Sequence, residues 1–232
     1  MIFFGMTQPK MSQALDKTYK ELERRGLLLL ADNTLPSVVS VIAGRPITGS
    51  WWSAPAGKLI YNTANELEEH QNVVVVKLLS GKLTFIHGKL WPALIVIGNA
   101  KENWQIRDLA PASKAILRKL EKDGELFTDT LVAVGGYSYK EVSAAAKQLE
   151  KSLLVLSQGF RVEGRHHRHL RSWKYWAKQV GLSSKKKNVV NAKREFEQIV
   201  QDLNEEYGAK ASLPWPKTKT SHRRQSGKKR DR

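Results

Sequence analysis

Between residues 138 and 151 the sequence reads Ser-Tyr-Lys-Glu-Val-Ser-Ala-Ala-Ala-Lys-Gln-Leu-Glu-Lys, a run whose apolar and polar positions separate at helical spacing. Val142, Ala145, Ala146 and Leu149 take one face. Tyr139, Lys140, Ser143 and Lys147, with Lys151 just past the end, take the other. Hydroxyl donors interleaved with ammonium groups suit base edges and phosphate oxygens, the former for sequence and the latter for register. Arg161 and Arg165 lie in the stretch Gly159 to Arg165, punctuated by Gly159 and Gly164 and read as a wing, where guanidinium groups meet phosphates or a minor groove. Two further basic groups extend this pattern: Lys185, Lys186 and Lys187, and a tail carrying Arg223, Arg224, Lys228, Lys229 and Arg230. Each duplex phosphate they neutralise adds about 0.9 to the salt slope of binding.

Trp51 and Trp52 are the other chemically conspicuous pair, because adjacent indoles cannot both enter the same core. Either one is core and the other sits in a domain interface, which is the reading favoured here, or one is a wedge that stacks on an unpaired base. Catalytic patterns are not found. Cysteine is absent, which removes thiolate nucleophiles and Cys-type zinc sites. His166, His167 and His169 sit among Arg165, Arg168 and Arg171, whose charge repels a dication, so no metal site is expected. Asp123, Glu125 and Asp129 read as acids near helix termini rather than a nuclease cluster. Gly135-Gly136 lacks the Lys-Ser/Thr of a phosphate loop, and no zincin motif or nucleophile elbow occurs. No catalytic residue and no cofactor is assigned.

The elements that must carry these groups follow from capping and periodicity. Pro111 suits a helix N1 position, with Ile116, Leu117 and Leu120 on one face and Gly124 as the stop. A second helix starts at Thr128-Asp129 and buries Leu131 and Val134. The Gly135-Gly136 turn leads into a third helix, opened by a Ser138/Glu141 capping box. A β-prone run, Leu153 to Leu156, and the stretch to Arg165 predict a hairpin. A helix is expected from His169 to Val180, with Trp173 and Trp176 as core. The first half repeats this plan: helices over 12–29, 35–43 and 58–70, a hairpin of Val73–Leu79 and Lys82–His87, and a helix from Leu90. Its third helix exposes Glu66, Glu68 and Glu69, which face phosphates unfavourably, so the first unit is expected to serve as scaffold or dimer surface. A final amphipathic helix spans 189–207, with Phe196, Ile199, Val200, Leu203 and Tyr207 at 3.6-residue spacing.

The 232 residues carry a net charge of +17, distributed as +4 over 1–107, +3 over 108–172 and +10 over 173–232. Such a field favours polyanions. From Lys217 to Arg232 there are eight Lys or Arg, one Asp and no aliphatic side chain, the composition of a chain that stays disordered in isolation. The opening Met1-Ile-Phe-Phe-Gly5 is too short for a signal-peptide core, and the apolar run from Leu90 to Gly98 is far short of a membrane span. A cytoplasmic, nucleoid-associated protein without membrane contact is expected.

The stretch from Ile47 to Ala177 resembles bacterial winged-helix DNA glycosylases of the crosslink-repair kind. The resemblance is carried by Ser50-Trp-Trp-Ser53, by Lys58-Leu-Ile-Tyr-Asn62 leading through the hairpin to Leu90-Trp-Pro92, and by the late unit ending in Trp173-Lys-Tyr-Trp-Ala177. It implies tandem winged helices around a DNA channel. The family's chemistry looks to depend on a Gln-x-Gln or Gln-x-Asp pair, and none of the ten glutamines here satisfies either pattern, so no catalytic residue is carried over.

The expectation is therefore an α+β, mostly helical chain of tandem winged helix-turn-helix units with short hairpin wings, a C-terminal helix and a basic tail. Its divisions are 1–107, 108–181, 182–212 and 213–232. The partner expected first is double-stranded DNA, bound by a regulator or repair-associated factor. The alternatives are a divergent base-flipping glycosylase and an RNA- or ribosome-associated protein. A homodimer through the first unit fits the same reading.

Overall fold

The computed structural model describes residues 12–182 and 188–217. Helix α1 (Gln13–Arg25) starts on the Ser12 side chain, which accepts from the Leu15 N–H, and ends at Gly26 in the left-handed region. Strand β1 (Leu27–Leu29) follows at once, then α2 (Val38–Ala43) and α3 (Gly57–Glu68). The hairpin β2 (Val73–Lys77) and β3 (Leu83–His87) leads into α4 (Trp91–Asn99). A short helix, α5 (Asn103–Ile106), opens the second half. There the order is α6 (Pro111–Asp123), β4 (Glu125–Phe127), α7 (Thr128–Val134), α8 (Tyr139–Lys151), β5 (Leu156–Val162), β6 (Arg165–Arg171) and α9 (Trp173–Gln179). The long helix α10 (Val189–Tyr207) closes the structure.

The fold is α+β, mostly helical, with two small three-stranded antiparallel sheets. Their strand orders, β1-β3-β2 and β4-β6-β5, are the same. The two halves thus share one element order and one sheet order. Residues also correspond: Leu22, Gly26 and Leu28 of the first half recur with the same spacing as Leu120, Gly124 and Leu126 of the second, the four leucines buried and both glycines at positive φ. Ile60, Ala64 and Leu67 on α3 recur likewise as Val142, Ala146 and Leu149 on α8, and Trp91 as Trp173.

Three apolar clusters result. One lies among α1, α2, α3 and one face of the first sheet, with Leu22, Ile60, Leu67 and Phe85. A second lies among α6, α7 and α8, with Leu120, Leu149 and Leu170. The third joins the halves: the other face of the first sheet meets α4, α9 and α10 through Ile86, Leu94, Trp173, Trp176 and Phe196. The predicted α10 face is found as read, and it is anchored by a partly buried ion pair, Lys193 Nζ to Glu102 at 2.6 Å. Arg25 of α1 reaches α10 as well, bonded to Glu21, to Glu206 and to the Tyr207 hydroxyl.

Several expected boundaries move. The helix drawn over 12–29 stops at Arg25, because Gly26 adopts φ +82° and turns Leu27–Leu29 into a strand against β3. The helix drawn from His169 begins only at Trp173. His169 to Arg171 belong to β6, and the Ser172 side chain caps α9 by accepting from the Tyr175 N–H. Val134 is 81% exposed rather than core. Trp215 is 4% exposed, packed against Trp104 and Phe196 and donating to Glu197, so the packed body runs past residue 213. Among the described residues no helix is long and apolar enough to cross a membrane.

Candidate nucleic-acid interface

Helix α8 is built as its sequence dictates. The Ser138 hydroxyl accepts from the Glu141 N–H, and the Glu141 carboxylate accepts from the Ser138 N–H at 2.9 Å. The Ser138 hydroxyl also donates to the Glu141 carboxylate at 2.6 Å, and this bond first, then the one from the Ser138 N–H, holds that carboxyl below its usual range. Val142, Ala145, Ala146 and Leu149 are buried, which turns Lys140, Lys147 and Lys151 outward along one exposed stripe with Ser143 beside it. None of the three lysines enters an ion pair among the described residues.

Tyr139 has partners within the protein. It is exposed, but its hydroxyl donates to the His166 carbonyl at 2.8 Å, and its ring meets His167 edge-on. It braces the start of α8 against the β5–β6 hairpin. At the hairpin's tip, Glu163 and Gly164 both take positive φ, and Arg165 is exposed just beyond. The backbone of Arg161 lies opposite His166 in β5; its side chain, like Lys185, Lys186, Lys187, Arg223, Arg224, Lys228, Lys229 and Arg230, lies outside the described residues. Sequence reading passed over a further basic stripe, Lys114, Arg118 and Lys122, exposed at four-residue spacing on α6.

The histidines do not converge. Strand alternation sends His166 to one face of β6 and His167 and His169 to the other. His169 stacks on Phe127 with ring centroids 4.3 Å apart and bonds to Glu125 at 2.8 Å. The acids are also dispersed: Asp123 pairs with Lys119, while Glu125 accepts from Tyr175 and meets His169. Among the described residues no group of three His, Asp or Glu is placed to hold a metal ion.

The two tryptophans form a step on the first half. Trp51 and Trp52 stack with centroids 4.3 Å apart, and Tyr61 of α3 leans on Trp52 at 5.1 Å. Trp51 packs against the first core, whereas Trp52 is 60% exposed. Gly57 permits this geometry, since a Cβ there would stand 2.5 Å from the Trp52 carbonyl oxygen. The step walls a cleft of about 390 Å³ between the halves, whose far side is β5 and β6 with Ser157, His166 and Arg168. Beside it Glu150 of α8 ties the halves together: Lys77 of β2 donates at 3.0 Å, Ser157 at 2.7 Å and Arg168 at 2.6 Å. Burial pushes the Glu150 carboxyl up, but the Ser157 and Lys77 hydrogen bonds and the Arg168 charge outweigh it and the net direction is down. Glu68, in the cleft wall, goes the other way, raised by desolvation and then by Glu69, although the residue as a whole is exposed.

No protein-family model matches the chain, and the comparisons with curated proteins and with solved structures find no similar protein.

Proposed function

We propose that this protein binds duplex DNA through its second half, which acts as a winged helix-turn-helix. The order α6-β4-α7-α8-β5-β6 with sheet order β4-β6-β5 fits that reading. So does the Gly135-Gly136 turn between α7 and α8. In such proteins the second helix of the turn enters the major groove and its N-terminal part meets base edges. The observation that carries the proposal is the exposed stripe Lys140, Lys147 and Lys151 on that helix, free of carboxylate partners among the described residues. Lys140 and Ser143 meet bases, Lys147 and Lys151 meet phosphates, and Arg165 follows the backbone from the hairpin tip. Tyr139 positions the hairpin rather than reading sequence. The first half shares the topology and contributes little to duplex binding, because its matching helix presents Glu66, Glu68 and Glu69.

The test is a titration of the full chain with duplex DNA over a salt series, alongside a structured RNA of equal length. Specific duplex binding whose logarithm falls linearly with the logarithm of salt is the expected result. Preference for the RNA at every salt concentration overturns it.

A further inference from the structure

We infer that the cleft between the two halves is a binding site for a single unpaired nucleobase, with guanine preferred. This does not depend on the groove reading of α8, since the cleft is built from other residues.

Three features of the cleft point there. Its volume of about 390 Å³ falls in the range of small-molecule sites, roughly 300–1,000 Å³. One wall is a flat aromatic step. Trp51 covers one face of Trp52, Tyr61 meets it at a tilt of 43°, and the 60% exposure of Trp52 leaves ring surface for a further planar group. Stacking on such a surface accepts any base, because every base has a π-face. A cage for an alkylammonium ion does not fit as well: the rings are stacked or in contact at 4.3 and 5.1 Å and leave no room for a cation between them.

The polar groups supply the preference. Tyr61, Asn65 and Glu68 recur at four- and three-residue spacing, so α3 presents them to the cleft as one stripe. The carboxyl of Glu68 and the amide of Asn65 make no hydrogen bond within the described structure, whereas the cations nearby, Lys77 and Arg168, are committed to Glu150. A carboxylate accepts two parallel N–H bonds, and the N1–H and N2–H edge of guanine offers that pair. Uracil and thymine place carbonyl oxygens on both sides of their single N–H, and these repel a carboxylate.

The experiment titrates the full chain with guanosine and uridine monophosphates and with a short single strand containing one guanine among thymines, read by calorimetry and tryptophan fluorescence. Saturable binding, quenched fluorescence and guanosine over uridine are expected. Trp52→Ala should weaken all three ligands about tenfold, the scale of one lost base stack. Glu68→Gln should bring the guanosine and uridine affinities to within about twofold of each other, because an amide presents a donor and an acceptor to either base. Thermal melts and duplex-DNA binding of both variants report whether they remain folded. Tighter binding of the strand identifies a strand site, and tighter binding of the mononucleotide identifies an effector site; both support the inference. It is overturned by the absence of saturable binding to any of the three ligands, or by quenching that survives in a folded Trp52→Ala protein.

Discussion

The indole of Trp173 lies directly over Gly98: a Cβ at position 98 would stand 2.3 Å from its Nε1. The same Nε1–H donates to the Leu153 carbonyl at 2.7 Å, so moving the buried ring aside strains that bond. Gly98 belongs to α4 and Trp173 to α9, and their crossing joins the two halves of the chain. Gly98→Ala brings two opposed effects. Alanine in a helix is favoured by up to about 1 kcal/mol over glycine. Overpacking a fully buried indole costs about 1–3 kcal/mol and breaks a buried hydrogen bond besides. The second effect wins, and denaturant unfolding should show a net loss of about 1–3 kcal/mol. A stability at or above that of the wild type contradicts the tight crossing.

Glu150 makes the joint between the halves sensitive to acid. Its side chain is only 10% exposed and holds Lys77 from one half and Arg168 from the other. Its folded pKa lies below the ordinary value of 4.5, so the carboxylate adds stability above that value and loses it as pH falls through the depressed one. Unfolding measured from pH 6 to pH 3 should therefore show a declining acid limb. Glu150→Gln should cost about 3 kcal/mol at neutral pH, since two cations lose their partner, and should flatten that limb. An unchanged acid limb in the variant places the titration elsewhere.

Much of the fold was legible where a local signal decides the outcome. The Ser138/Glu141 box and the inward face of α8 were readable because capping and 3.6-residue periodicity act within a few residues. The α10 face and the buried Trp173 and Trp176 were readable for the same reason. What escaped depends on the tertiary partner. Leu27–Leu29 continues the apolar pattern of α1 and reads as helix; only pairing with β3, permitted by the turn at Gly26, makes it a strand. Glu125–Phe127 is three residues long and has no periodicity to read, yet it pairs with β6 through Leu126 and Leu170. Of the cleft, the Trp51-Trp52 pair was visible in sequence. Glu68 read only as one of three acids on an unfavourable helix face, and nothing in the sequence marked Tyr61 and Asn65 as its partners until β5 and β6 were brought opposite them.

Groove reading by α8 predicts an asymmetric effect of lysine removal. Replacing Lys140 and Lys147 by Ala deletes one group that meets a base edge and one that meets a phosphate, from a helix whose fold they do not support, since both are exposed. Affinity for a selected duplex site should fall by about 1–3 kcal/mol at the base edge. Affinity for bulk DNA should fall less, and the salt slope should drop by about 1 for each phosphate left without its cation. Competition binding against unrelated duplex separates the two. An equal loss on both kinds of DNA refutes sequence reading by this helix.

The basic tail can be tested apart from the body only if the cut respects Trp215. A chain ending at Ala211 removes that indole, which is packed against Phe196 and Trp104 and bonded to Glu197. Burial of such a ring places the expected cost at about 3–5 kcal/mol, so loss of DNA binding in that chain reflects unfolding as much as lost charge. A chain ending at Lys217 keeps the indole and removes seven Lys or Arg and one Asp. Its thermal midpoint should match the full chain, and its affinity should fall by the same factor on every duplex sequence, with a shallower salt slope. Altered sequence preference assigns part of the reading to the tail. Complete loss of binding in this folded chain removes the DNA role of α8.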